Sequence, residues 1–376
     1  MRVALVSDWF LPRQGGIELH LRDLALALRV RGVDARLVTP TRGSDVVDGV
    51  PVHRLPVALA PGFGFAISPR LVSAIGDLLD RERFDVVHAH ASVISPAAYA
   101  GALAGARRAL PTVLTFHSML HRSAFVLGTS ESLFGWAGGR VLLTAVSSVV
   151  AAQAARWIPG ASVGVLPNGV DAGFWRATRH EARAGVVHFA SAMRLSRKKR
   201  PAALVRAFAH AVRFTSGVPE LHLTIAGDGP DRGELLRLAN ELGVGAQLSL
   251  PGQLTRDALR DLYGRADAFV LPSERESFGI AALEARAAGL PVIAMLASGA
   301  RDFIAQGVNG VLAANDGEMT RAMTRVALDA PFRNFVAARN RSDSPPYDWT
   351  EVAAQHLAFY EAAAALRNGL ENASQR

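Results

Sequence analysis

Glu276 and Glu284, separated by seven residues, stand in the string DAFVLPSERESFGIAALEARAAGLPVIA, residues 267–294. Two carboxylates can accept hydrogens from the hydroxyls of one ligand. The apolar run from Ala268 to Leu271 reads as a buried strand of the parallel type. Pro272-Ser273 ends it, and an Ala-rich helical run is expected from Phe278 to Ala288, stopped by Gly289 and Pro291. Val292 to Met295 then reads as the next strand. In such a unit, ligands sit beyond the C-terminal ends of the strands and against the helix N-terminus. The backbone N–H groups of Ser277, Phe278 and Gly279 lie there, between the glutamates. If the intervening chain were all helical, Glu284 would lie about 12 Å along the axis from Glu276. The arrangement suits an extended ligand with hydroxyls at both ends and phosphate in the middle, the form of a nucleotide sugar. Spacing by itself also fits two glutamates on a solvated helix face.

A basic cluster supplies charge for such a phosphate. FASAMRLSRKKRPAALVRAF follows a strand and precedes a helix, so its cations fall at a strand's C-terminal edge. The chain has 41 Lys and Arg, yet its only two lysines, Lys198 and Lys199, lie in this cluster. Arginine offers a planar fork and lysine a compact point charge, and together they can neutralise a diphosphate. In SDWFLPRQGGIELHLRDLALAL a strand ends at Ser7, and Gly15-Gly16 open a helix with apolar Ile17, Leu21, Leu24 and Leu28. Glycine there lets backbone approach an anion. His117 ends the strand of VLTFHSML, and its position makes it a site candidate. His88 and His90, two apart with no carboxylate at metal spacing, are assigned no chemistry, and no metal site is expected.

These residues need elements to position them. Short apolar strands alternate with helical patterns throughout, which argues for βαβ units and parallel sheets. Strands are expected at Val3–Val6, Ala35–Val38, Val86–His88, Thr112–Thr115 and Leu143–Val146, with a helix at Ile17–Arg29. The pattern restarts with Val186–Ala190, Leu221–Ala226, Gln247–Leu250, Ala268–Leu271 and Val292–Met295. The string VGVLPNGVDAGFWRATRHEARAG, rich in turn residues and then charged, reads as the connection between two domains. The expected division is 1–180 and 181–345, followed by a helical end at 346–376.

The 376 residues suit two domains, and half of them are hydrophobic, ample for two cores. With no cysteine, disulfides, thiol nucleophiles and thiolate metal sites are excluded. The start MRVALVSDWF lacks the form of a signal peptide, and Ala89 to Ala106 reads as buried core rather than a membrane span, so a cytoplasmic protein is expected. The net charge is +8; residues 1–180 hold 18 Arg, no Lys and 12 Asp+Glu, a net +6. That excess suits anionic partners. No Arg-rich run with interleaved aromatics marks a nucleic-acid surface.

The whole strings, beyond their spacing, resemble a known family. SERESFGIAALEARAAGLPVIA is similar to the signature of the retaining glycosyltransferases of family 4, which have the GT-B fold. The N-terminal string also resembles the donor-site loop of enzymes of the phosphatidylinositol GlcNAc-transferase and mannosyltransferase type. The resemblance reaches from Val3 to the closing DWTEVAAQHLAFYE. It implies an α/β protein of two Rossmann-like domains, their parallel sheets facing across a cleft, with a final helix crossing back to the first domain. It gives Glu276 the hydroxyls of the donor sugar and Glu284 the ribose. Gly16 approaches the diphosphate, Arg194 and Lys199 neutralise it, and His117 lies by the sugar. Pro251 to Leu254, with Gly252, resembles the segment whose backbone meets the base. Gly227-Asp228-Gly229 is mostly structural, and LPNGVD resembles the end of the first domain. Where family members carry two glycines and a glutamate, this chain has Ser298, Gly299 and Asp302.

The resemblance implies transfer of a hexose or N-acetylhexosamine from GDP-mannose or a UDP-sugar, with retention, to a lipid-linked or glycan acceptor. The nucleotide sugar is then a substrate, and no cofactor is called for. No Asp-x-Asp triplet occurs to hold a divalent cation on the diphosphate, so metal-independent activity is expected. Residues 60–68 and 123–139, with the basic first half, suggest peripheral contact with an anionic membrane, on the inner face of the cell membrane. Three other readings stand beside this one. A non-catalytic nucleotide-sugar-binding partner would share the site, and a related GT-B epimerase would share the fold. An NAD(P)-dependent Rossmann oxidoreductase would show a completed G-x-G-x-x-G with an acid about 20 residues on, which is absent.

Overall fold

In the computed structural model the described residues are 1–13, 15–59, 65–120, 140–158, 160–176, 184–343 and 345–374, with side chains to 369. The chain forms two compact units, Met1–Gly169 with Trp349–Arg376, and Val170–Asp348. The change of unit falls inside the LPNGVD string, earlier than the boundary expected at 180.

The first unit holds β1 (Arg2–Ser7), β2 (Asp34–Thr39), β3 (Val46–Val47), β4 (Val50–Arg54), β5 (Val86–Ala91), β6 (Thr112–Phe116), β7 (Leu142–Ala145) and β8 (Val163–Val165). They form one sheet in the order β3-β4-β2-β1-β5-β6-β7-β8. Only the β3–β4 pair is antiparallel. β5 and β6 are buried along their whole length, as strands of a parallel sheet covered on both faces must be. Helix Gly16–Val30 buries Leu21, Leu24, Ala25 and Leu28. The expected core run 89–106 becomes the end of β5 and the helix Pro96–Arg107. Among the described residues no helix is long and apolar enough to cross a membrane. The long helix Trp349–Ser374 belongs to this unit, where Ala353, Tyr360 and Ala363 pack into the core with Leu21 and Val113. Residues 60–64 and 123–139 lie outside the described residues; next to the former, Phe65 and Ala66 are buried.

The second unit holds β9 (Val186–Ala192), β10 (Glu220–Ala226), β11 (Leu248–Gly252), β12 (Ala268–Leu271), β13 (Val292–Met295) and β14 (Gly310–Ala313). All pair in parallel, in the order β11-β10-β9-β12-β13-β14. Counted within the unit this is 3-2-1-4-5-6, the doubly wound order, whose direction reverses between β9 and β12. Phe189, Leu204, Phe208, Leu223, Ile225, Met319 and Met323 lie in one core cluster.

Two differences from the sequence expectation have clear causes. The segment read as an interdomain connection contains β8 and a short helix, Ala172–Arg176, with Trp175 fully buried against Tyr263. A single large aromatic side chain anchored the segment, although its turn residues suggested a linker. The helix after β12 spans Ile280–Ala287 and does not start at Phe278, because Gly279 takes φ +95°. That left-handed conformation sets the start of the helix, so the 12 Å rise assumed for the Glu276–Glu284 stretch does not apply.

Candidate functional site

Within the second unit, the loops at the C-terminal ends of the strands are tied together by backbone. After β9, Met193 N donates to Ala226 O at 2.9 Å and Leu195 N to Asp228 O at 2.9 Å. After β10, Gly227 N donates to Gly252 O at 2.7 Å. Gly227 and Gly229 are needed for this approach: a Cβ would stand 1.9 Å from Met193 O and 2.2 Å from Leu195 O respectively. After β12, the Glu276 carbonyl accepts from Gly299 N at 2.8 Å. Gly299 likewise has no room for a Cβ, which would meet Ser277 O at 2.1 Å.

Two of these loops meet at the switch point. Lys199, in the 3-10 turn Arg197–Lys199 after β9, places Nζ 2.6 Å from Glu276 Oε2 in the loop after β12. The Glu276 side chain is 14 % exposed and that of Lys199 30 %, so the pair is shielded from solvent but not sealed from it. Arg200, which sequence reasoning passed over, locks the same two loops. It donates to Pro272 O at 3.0 Å and pairs with Glu274 at 2.9 Å and Asp316 at 2.7 Å. Arg194 is exposed in the same loop, ahead of that turn. Helix Ile280–Ala287 starts beside them, its N-cap Gly279 carrying no capping side chain, and a helix N-terminus favours an anion. Ser277 is half-buried and Phe278 buried in that loop. Glu284 is half-buried on this helix, and burial, with the Glu284 charge second, pushes the Tyr263 phenol up. Gly252, at φ +83°, ends β11 with open space at its Cβ position. The second unit therefore gathers Arg194, Lys199, Gly252, Glu276, Ser277, Phe278, Gly279 and Glu284 on its β9–β12 ends and the helix that follows.

In the first unit, Gly15 caps helix Gly16–Val30 in extended conformation and without a side-chain bond, and Gly16 is exposed. His117 follows β6, its N–H bonded to Ala91 O at 2.8 Å and its ring buried. It has company that spacing did not show. His90 Nδ1 lies 2.9 Å from His117 Nε2, and the rings of His20 and His117 are 5.2 Å apart. His20, His90 and His117 each place one nitrogen within 4.8 Å of the others', a grouping the sequence reading of His88 and His90 did not foresee. His88 and His356 are buried beside them. Burial holds all five imidazoles uncharged: His117 is pushed down to about 3 and His356 to about 4, and His20, His88 and His90 lie well below the ordinary value. Sequence reasoning also passed over Asp8. It is buried after β1 and accepts from Ala97 N at 2.9 Å and Ala98 N at 3.2 Å, at the start of helix Pro96–Arg107. Burial pushes its carboxyl up to about 7 against the lowering effect of those bonds.

Residues 14–174 match the family described as Glycosyltransferase Family 4, and residues 179–342 match Glycosyl transferases group 1. The chain is 30% identical to a glycogen synthase of Mycobacterium tuberculosis, covering 96% of this chain and 95% of that protein. It is 28% identical to D-inositol 3-phosphate glycosyltransferase 1 of Catenulispora acidiphila, covering 93% and 91%. Among solved structures, Anabaena Alr3699/HepE in complex with UDP and glucose superposes with a TM-score of 0.75 at 19% identity, covering 96% of this chain and 100% of that one.

The Gly299→Ala variant is expected to lose about 1–3 kcal/mol of stability in urea unfolding, because the Ser277 carbonyl must move aside; wild-type stability would contradict the close approach. The histidine cluster sets a second expectation. Each imidazole has a folded pKa below its unfolded value of 6.5, so the unfolded chain takes up protons first. Its contribution is whole above pH 6.5 and is lost as pH falls below it, by roughly 1 kcal/mol per histidine per pH unit. Asp8, raised, works the other way, losing its contribution as pH rises from 3.8 through about 7. In the Asp8→Asn variant, which removes that opposing contribution, unfolding free energy should fall steeply from pH 7 to pH 5. A flat profile there would contradict a neutral buried cluster.

Proposed function

Because the chain belongs to the glycosyltransferases of the GT-B fold, we propose that it moves a hexose or N-acetylhexosamine from a nucleotide diphosphate sugar to a hydroxyl of a lipid-linked or glycan acceptor. The configuration at the anomeric carbon is retained and no metal ion takes part. The observation that carries this reading is the Lys199–Glu276 pair at 2.6 Å across the β9/β12 switch point, where doubly wound sheets hold their ligands.

In this reading Arg194 and Lys199 neutralise the diphosphate, with help from the uncapped start of helix Ile280–Ala287. Glu276 accepts the sugar hydroxyls, and its pairing with Lys199 holds both side chains in place before the donor arrives. Glu284 takes the ribose, and the backbone at Gly252 the base. In the first unit, Gly16 serves the diphosphate and His117 the sugar. The acceptor hydroxyl attacks the anomeric carbon from the face on which the nucleotide diphosphate departs. The glycosidic bond to phosphate breaks as the new one forms, and the hydroxyl proton passes to the departing phosphate. The developing phosphate charge meets fixed cations, the arrangement that contributes most in such transfers. GDP-mannose and UDP-sugars are the donors to be compared.

The net +6 on residues 1–180 supports an acceptor or surface that bears phosphate. Phosphatidylinositol and polyprenyl-linked glycans are the lipid-linked forms proposed. A free phosphorylated inositol, the substrate in the Catenulispora protein's name, is the soluble counterpart.

Glu276→Ala and Lys199→Ala are each expected to lower transfer or donor hydrolysis about a hundredfold or more, the scale of losing one charge-stabilising contact; full activity in either variant contradicts the assigned roles. Activity should survive EDTA, and NMR of early product should show the donor's anomeric configuration. Vesicle flotation tests the surface: binding to anionic vesicles at low salt and release at high salt is expected, and no binding at low salt removes the membrane from the proposal.

A further inference from the structure

The hydrogen bond between His90 Nδ1 and His117 Nε2, 2.9 Å long, joins two neutral rings, so one nitrogen must donate and the other accept. The far nitrogen of His90 decides which. His90 Nε2 is buried and, among the described residues, has no hydrogen-bond partner. If His117 donated, the single hydrogen of His90 would sit on Nε2, a buried N–H with no acceptor. If His90 donates, Nε2 is a bare lone pair. Buried donors without partners are rarer in native proteins than under-used acceptors. We propose that His90 is a positioning residue that donates Nδ1–H to His117 Nε2, holding His117 as its Nδ1–H tautomer, an uncharged hydrogen-bond donor for the sugar.

The surroundings keep His90 in that role. His88 packs against it, ring centroids 4.0 Å apart, and both nitrogens of His88 are engaged. Its Nδ1 lies 2.9 Å from the Tyr360 hydroxyl and its Nε2 2.7 Å from Thr115 Oγ1. Thr115 Oγ1 meets Thr144 Oγ1 at 2.6 Å, and Thr144 donates to Leu114 O at 3.4 Å. Read back from that carbonyl, the chain has one polarity: Thr144 accepts from Thr115, Thr115 from His88 Nε2–H, and His88 Nδ1 from Tyr360. His88 is thus fixed and uncharged, and its ring walls His90 in place. The groups that face His117 and His90 from the helices Gly16–Val30 and Trp349–Ser374 are His20 and His356, also uncharged. No cation or carboxylate in this group competes for the shared hydrogen. One nitrogen from each of His20, His90 and His117 lies within 4.8 Å of the others', a spacing a metal ion could also use; on His90 Nδ1 and His117 Nε2 an ion and the shared hydrogen exclude each other, so the two are told apart below.

His117's contact with the sugar rests on the function proposed above; the tautomer does not, and the experiment separates the two. Protein labelled with ¹⁵N-histidine, without donor, is examined by long-range ¹H–¹⁵N correlation at pH 7.5, with His117 assigned by its loss in His117→Ala. The expected pattern has hydrogen on His117 Nδ1 and a bare Nε2. Transfer activity is then compared in His90→Leu, which removes the donor, and His90→Asn, whose amide N–H can replace it. Leucine is expected to lower kcat about ten- to a hundredfold, the usual scale for losing a partner that orients a histidine, and asparagine to restore most of it. A proton on His117 Nε2, a cationic His117, stoichiometric Zn²⁺ binding that His90→Leu abolishes, or full activity in a folded His90→Leu would each overturn the proposal. If neither variant folds, the wild-type spectrum alone decides. If no transfer is found with any donor, the function proposed above fails while the tautomer is still decided.

Discussion

Parallel strands cannot be joined by tight turns, so each connection must cross a face of the sheet before the next strand begins. In the second unit every strand is parallel, and all the strand-to-helix loops therefore emerge on one edge. The reversal of direction between β9 and β12 then leaves two adjacent loops whose helices lead to opposite faces. Lys199 and Glu276 sit in those two loops. Their meeting is a consequence of strand order, and the glycines at 227, 229 and 299 let the neighbouring loops pack closely enough to hold it. Arg200 adds a charged clasp between the same loops through Glu274 and the Pro272 carbonyl, and reaches Asp316 at the start of the helix after β14.

The two units solve the polar side of the problem differently. In the second, charge is kept at the edge of the sheet, partly in solvent, where a phosphate can reach it. In the first, the polar groups near His117 lie inside, and burial keeps them neutral. Five imidazoles in mutual contact could not all carry charge without large repulsion and desolvation. As neutral rings they pack like other aromatics and still exchange directional hydrogen bonds. Asp8, a buried acid of the first unit, is met by backbone N–H groups at a helix start, the arrangement that lowers the cost of a buried carboxyl.

Much of this was legible locally. Each expected apolar run overlaps a strand, though several strands run one to three residues past the expected end, as β5 does to Ala91; Gly15-Gly16 opened a helix, and Ala268–Leu271 and Val292–Met295 are strands with the expected bounds. The pair of lysines, alone in an arginine-rich chain, pointed to the β9 turn. Short or mixed elements were not legible: β4 contains a proline and a histidine, and β14 begins on glycine. Trp175 gave no local sign that it would be buried. Asp8 and His20 gave none either, since a polar residue inside one apolar pattern reads as a surface position until another element covers it.

By itself the sequence determined the kind of each main element, the doubling of the α/β pattern and the residue types available for phosphate and hydroxyl contacts, because these depend on neighbours a few positions apart. Only the tertiary structure decided which of them meet. Lys199 and Glu276 are 77 residues apart and His90 and His117 are 27 apart, and each pair is joined by strands becoming neighbours in a sheet. Strand order and register come from how whole helices and sheet faces pack, and no local run of side chains encodes that.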